Sequence, residues 1–138
     1  MTDGFASVQW MMGLGLIVVP AAVIVLTLAP WYERAGLGAL AAQEAARTVA
    51  VAPTWDEGVV AAEALIARIA AARCPEEPQC LSVAVRSSVP GRLERGGTVT
   101  AEVGVTLPRV VIPFVGSFGA VEHRVTSVEA VDRYRSLD

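Results

Sequence analysis

The chain has 138 residues and a net charge of −3, with 54% hydrophobic residues and a mean hydropathy of +0.51. All 11 basic residues are arginines lying beyond residue 32, as are all but one of the 14 acidic residues. That near-balance gives no reason to expect nucleic-acid binding, which usually shows a basic patch, and the hydropathy is high for a soluble protein.

The excess is concentrated at the start. From Gly4 to Tyr32 no residue is charged. About 20 apolar residues cross a bilayer core as a helix, so this stretch is expected to span. Trp10 and Trp31 stand near its ends, where amphipathic rings favour the lipid–water boundary. With no Lys or Arg ahead of the span, loop charge gives no orientation. Helix formers continue past the membrane, with Ala35, Ala39, Ala42, Ala46 and Ala50 recurring at three- and four-residue steps. An unbroken helix from Val8 to Val51 would be roughly 65 Å long at 1.5 Å per residue. Pro20 is expected to bend it, and Pro30 to do the same at the membrane exit.

Pro53 ends that helix. Thr54 and Glu57 read as a reciprocal capping box for a second helix, Trp55 to Arg73. Its apolar side holds Val59, Ala62, Ile66, Ile69 and Arg73, widened by Val60, Ala64 and Ala67. Trp55 reads as a staple at the helix start. Pro75 stops the helix. Cys74 and Cys80 flank the turn-forming spacer Pro75-Glu76-Glu77-Pro78-Gln79. They are either a disulfide, worth roughly 2 kcal/mol by loop entropy and stable only in an oxidising compartment, or two free thiols near a helix end; the anchor favours the disulfide. Two Cys and a distant His123 are too few for a metal site.

The period then changes from helical to alternating. Leu81, Val83 and Val85 alternate with Ser82, Ala84 and Arg86, which predicts a strand. Pro90-Gly91 and Glu94-Arg95-Gly96-Gly97 mark turns. Val99, Ala101, Val103, Val105 and Leu107 alternate with polar or small partners and predict a second strand. A third, from about Ala120 to Tyr134, changes phase: Val121 and Val125 share one face while Val128 and Ala130 fall on the other, and a bulge near Ser127 would reconcile them. Between the second and third strands, residues 109–118 (Arg-Val-Val-Ile-Pro-Phe-Val-Gly-Ser-Phe) are either a hairpin arm packed on its own domain or an exposed apolar surface for a partner or the membrane face. In the second case Val111, Ile112, Phe114 and Phe118 would form it. The fold class is α+β: a long N-terminal helix, a second helix and a small antiparallel sheet of about three strands.

This order, together with the start of the chain, resembles the pilin-like proteins, and more narrowly the TadE-like family of tight-adherence (Flp-type) pilus assembly proteins. Prepilins are cut after a Gly, and here Gly4 is followed by Phe5 and then, at the fifth position, by Gln9 and the aromatic Trp10. Thr98–Leu107, residues 109–118 and Ala120–Tyr134 follow the distal plan of such domains. The resemblance implies a short leader at residues 1–4, a transmembrane half at 5–32 and an extracytoplasmic α+β domain at 33–138. It implies cleavage by a prepilin peptidase between Gly4 and Phe5, and a single-pass protein in the cell membrane, in or at the tip of a pilus. Its partners would be the bilayer, other pilin-like subunits and the pilus assembly platform. Gln9, Trp10, Gly13 and Gly15 are the assembly contact candidates, with Ala21 and Ala22 adding small residues that let membrane helices pack closely.

Gln9 departs from the family's Glu. A buried amine in lipid needs a counter-charge; Gln9 hydrogen-bonds but does not neutralise, which favours a minor or initiating subunit. The alternative is a signal-anchored extracytoplasmic binding domain with no place in a filament. An enzyme is not expected. His123 stands alone between Glu122 and Arg124, Glu76 and Glu77 read as solvated turn carboxylates, and no catalytic spacing, phosphate loop or cofactor motif appears. Neither nucleic acid nor a small-molecule substrate is expected.

Overall fold

The computed structural model describes residues 3–112, 116–134 and 136, without the side chains of residues 3–7, 112 and 118. It is an α+β molecule in the order α1 (Asp3–Val51), α2 (Trp55–Arg73), β1 (Leu81–Ser87), β2 (Thr98–Leu107), β3 (Val110–Ile112), β4 (Gly116–Phe118) and β5 (Val121–Ala130). Helix α1 runs unbroken for 49 residues, through both Pro20 and Pro30. Among the described residues it is the one helix long and apolar enough to cross a membrane, and its most apolar window is wholly unburied.

The outer half of α1 is the spine of the domain. Gly38, Ala41, Ala42, Ala45, Ala46, Val49 and Ala50 are buried on it, and no side chain larger than valine occurs among them. The three- and four-residue spacing is as expected, but the face is rotated: Ala39 is exposed and Ala35 only half-buried. Small residues matter here because α1 lies almost on the sheet. A Cβ added at Gly38 would overlap Cγ2 of Val105. The same device brings the helices together, since a Cβ at Gly58 would lie 2.9 Å from Cβ of Ala52 and 3.1 Å from Cα of Val49.

In α2 the Thr54 hydroxyl accepts a hydrogen bond from the Glu57 amide at 3.4 Å. Among the described hydrogen bonds the Glu57 carboxylate does not return one, so half of the capping box forms. Gly58, Ala62, Ile66 and Ala70 are buried, at successive four-residue steps. The apolar face is narrower than expected: Val60 is 65% exposed and Ala64 and Ala67 are exposed too. Trp55 packs against the core at the helix start, as a staple does.

The main sheet has the order β1-β2-β5, antiparallel throughout. Val99, Ala101, Val103, Val105 and Leu107 of the central strand are all buried. Leu81, Val83 and Val85 stand opposite Val105, Val103 and Ala101, so the inner face is a lattice of small β-branched and aliphatic side chains under α1. The turns fall at Pro90-Gly91 and Arg95-Gly96, where Gly91 and Gly96 both have φ of 73°.

β5 corrects the expected bulge. Its pairing with β2 is continuous from Thr98↔Ala130 to Leu107↔Val121, with no extra residue near Ser127. Val125, Ser127 and Glu129 are half-buried on the inner face and Val131 is buried beyond the strand, while Val128 is 59% exposed. The phase of β5 is set by its pairing with β2. Apolar Val128 and Ala130 simply occupy the wet face.

Two substitutions in α1 test the close approach. Gly38→Val is expected to destabilise the full chain by about 1–3 kcal/mol through overpacking against Val105. At Gly36, where an added Cβ meets nothing within 4 Å, Gly36→Ala is expected to stabilise by up to about 1 kcal/mol through helix propensity. Urea unfolding in detergent micelles, followed by tryptophan fluorescence, reads both.

Candidate assembly site

The apolar half of α1 carries Gln9, Trp10 and Gly13 on exposed helix surface, with Gly15 half-exposed. Gln9 and Gly13 are one turn apart and, with Trp10, Leu14 and Ile17, line a shallow groove. Trp10 is 78% exposed. An added Cβ at Gly13 or Gly15 would meet nothing within 4 Å, so neither glycine serves the packing of this chain. Each costs about 1 kcal/mol of helix propensity. They do not form one face, however. At 3.6 residues per turn, positions 13 and 15 point about 160° apart, so Gly13 belongs to the groove with Gln9 and Trp10 while Gly15 shares the other side with Ala22. Gly4 and Phe5 lie in the backbone of α1; their side chains are outside the described residues.

Where α1 leaves the apolar stretch, three elements close on it. The Trp31 indole Nε1 donates to the carbonyl of Pro108 at 3.0 Å. Nη1 of Arg34 donates to the carbonyl of Thr106 at 3.0 Å and pairs with Oε2 of Glu77 at 2.9 Å. Glu77, expected to be solvated, therefore tethers the cysteine loop to α1, although a half-exposed pair contributes only about 0–1 kcal/mol. Trp31, expected as a boundary aromatic, also pins the end of β2. Arg34 and Glu77 are 43 residues apart, and no local pattern joins such a pair.

The disulfide is formed. Cys74 and Cys80 are bonded, with Cα atoms 6.3 Å apart and both residues buried. Cys74 caps α2, its amide donating to Ala70 at 2.7 Å, and the Cys80 carbonyl accepts from the Thr106 amide at 2.9 Å. The bond thus fixes the end of α2 to the entry of β1, beside the strand end that Arg34 holds.

Residues 109–118 contain the hairpin β3–β4, paired Val110↔Phe118 to Ile112↔Gly116. Val110 is buried and β3 lies against α1, whereas Val111 is 62% exposed. Phe114 lies outside the described residues, as do the side chains of Ile112 and Phe118. His123 and Glu76 are exposed. On the outer face Arg124 pairs with Glu102 at 3.4 Å and Glu122 at 3.3 Å. Among the described residues no group of three or more His, Cys, Asp or Glu is placed to hold a metal ion. Comparison with protein-family models, curated proteins and solved structures returned no match to this chain.

Removing the crosslink with the double variant Cys74→Ala/Cys80→Ala is expected to cost about 2 kcal/mol, seen as a lower urea midpoint that a reducing agent reproduces in the parent chain. Trp31→Phe leaves the Pro108 carbonyl without its donor, at about 1 kcal/mol. Trypsin cleavage after the adjacent Arg109 should then accelerate about fivefold, an increase read on gels of the intact chain.

Proposed function

We propose that this chain is a minor pilin or pseudopilin-like subunit serving the assembly of a tight-adherence (Flp-type) type IV pilus. The observation that supports this most is the unbroken helix α1, whose first half is an exposed apolar rod and whose second half is the spine of a disulfide-bonded α+β domain. A subunit that is stored in a bilayer and then packed by its helix into a bundle needs this division. The free half must be apolar, and it must be rigidly joined to the domain it carries.

In this reading the chain is a single-pass membrane protein with its C-terminal domain outside the cytoplasm, where the Cys74–Cys80 bond persists. A prepilin peptidase cuts between Gly4 and Phe5. The notch at Gly13, between Gln9 and Ile17, then receives a neighbouring pilin-like helix, since in lipid close backbone approach replaces the hydrophobic effect as the driving force. Gln9 supplies an amide and no charge, so the new amine at Phe5 is not neutralised by its neighbour. This suits a subunit used sparingly, at initiation or at the tip.

The second reading, a signal-anchored binding domain outside any filament, draws on the same Gln9, because a subunit that never polymerises needs no counter-charge. Mass spectrometry of the chain purified from its own host separates the two. The pilin-like reading expects a mature chain beginning at Phe5 and an uncut chain in Gly4→Arg. An unprocessed parent chain in a host with an active prepilin peptidase would refute it.

A further inference from the structure

The connection between β2 and β5 leaves the main sheet and descends along α1. Three contacts fix the direction. Val105 faces Gly38, the Thr106 carbonyl meets Arg34, and the Pro108 carbonyl meets Trp31. Each step forward along β2 is a step toward the start of α1. Pro108 is already level with Trp31, at the end of the uncharged stretch, and β3 beyond it still lies against α1. Val23 and Thr27 are half-exposed, with the Thr27 hydroxyl donating back to the Val23 and Ile24 carbonyls within α1. They continue the four-residue line from Trp31, and Val23 lies about 12 Å below it at 1.5 Å per residue.

The hairpin therefore rides on a part of α1 counted in the uncharged stretch. That stretch, Gly4 to Tyr32, exceeds the roughly 20 residues a bilayer core requires by about ten. The length from Gly4 to Ala22 alone is roughly 28 Å, close to the ~30 Å hydrocarbon thickness. The surplus lies at the end where Trp31 meets the base of the hairpin. The hairpin itself fits an apolar boundary: residues 110 to 121 carry no charge, and Val111 turns away from the protein at 62% exposure. Exposed Arg109 stands at its base, where a guanidinium meets headgroup phosphates. Depth is bounded by the backbone, because a two-stranded hairpin has open edges whose amides and carbonyls hydrocarbon cannot satisfy.

We infer that β3–β4 is a second membrane contact, lying beside α1 in the headgroup zone of the domain-side leaflet with Val111 toward the acyl boundary. This rests on the reading of α1 as a spanning helix, and the experiment tests both. The full chain is reconstituted in phosphatidylethanolamine–phosphatidylglycerol liposomes with the native disulfide kept oxidised. Nitroxide labels are placed one at a time at Val111→Cys, Leu16→Cys in the span and Val128→Cys on the exposed sheet face. Accessibility to oxygen and to a water-soluble nickel chelate is then read by electron paramagnetic resonance. The expected oxygen-to-nickel ratio at position 111 is several-fold above that at 128 and below that at 16. A ratio at 111 equal to that at 128, with 16 shielded, overturns the hairpin contact and leaves the span intact. Nickel access at 16 overturns the span and the hairpin contact with it.

Discussion

The close approach of α1 to the central strand is the constraint on which the rest of the structure depends. A helix lying almost on a sheet needs a face without bulk, and Gly38, Ala41, Ala42, Ala45, Ala46 and Ala50 supply it, with Val49 the largest residue present. β2 answers with valine and alanine. Such a core is thin. Alanine buries little apolar area, and a domain of about a hundred residues has limited burial to draw on. The disulfide and the polar ties at the foot of the domain add to it.

Those ties converge on one level of α1. Trp31 and Arg34 are one turn apart and reach, respectively, the end of β2 and both β2 and the cysteine loop. Cys74 and Cys80 hold the last turn of α2 to β1, and Cys80 in turn accepts from Thr106. The helix, the strand end and the crosslinked loop are thus fixed to one another at the point where the apolar rod begins. The crosslink and the long-range side-chain ties are gathered at the end of the domain nearest the apolar rod.

Much of this was legible in the sequence. The bounds of α2, the alternation in β1 and β2 and the turn residues were readable because each is a local pattern. What failed was phase and width. Ala39 joined the alanine stripe by spacing, yet lies outside the face that meets β2. Val60, Ala64 and Ala67 are apolar and exposed, because α1 covers only one row of α2. The apolar Val128 invited a bulge that the continuous pairing of β5 with β2 made unnecessary. Glu77 had no visible partner, since Arg34 is adjacent only in three dimensions. Gln9, Trp10, Gly13 and Gly15 were legible only as residue types; the groove that the first three line, and the separation of Gly15 from it, followed from the helix running continuously through all four positions.

The two prolines of α1 give the rod a graded stiffness. Each removes one amide donor, which leaves the carbonyls of Leu16 and Leu26 without their helical partners, and both lie in the apolar half. From Trp31 to Val51 the helix has no proline and is clamped by the sheet and by α2. Bending is therefore easier between positions 16 and 30 than along the clamped half. Mechanically the chain is a stiff head on a compliant stem.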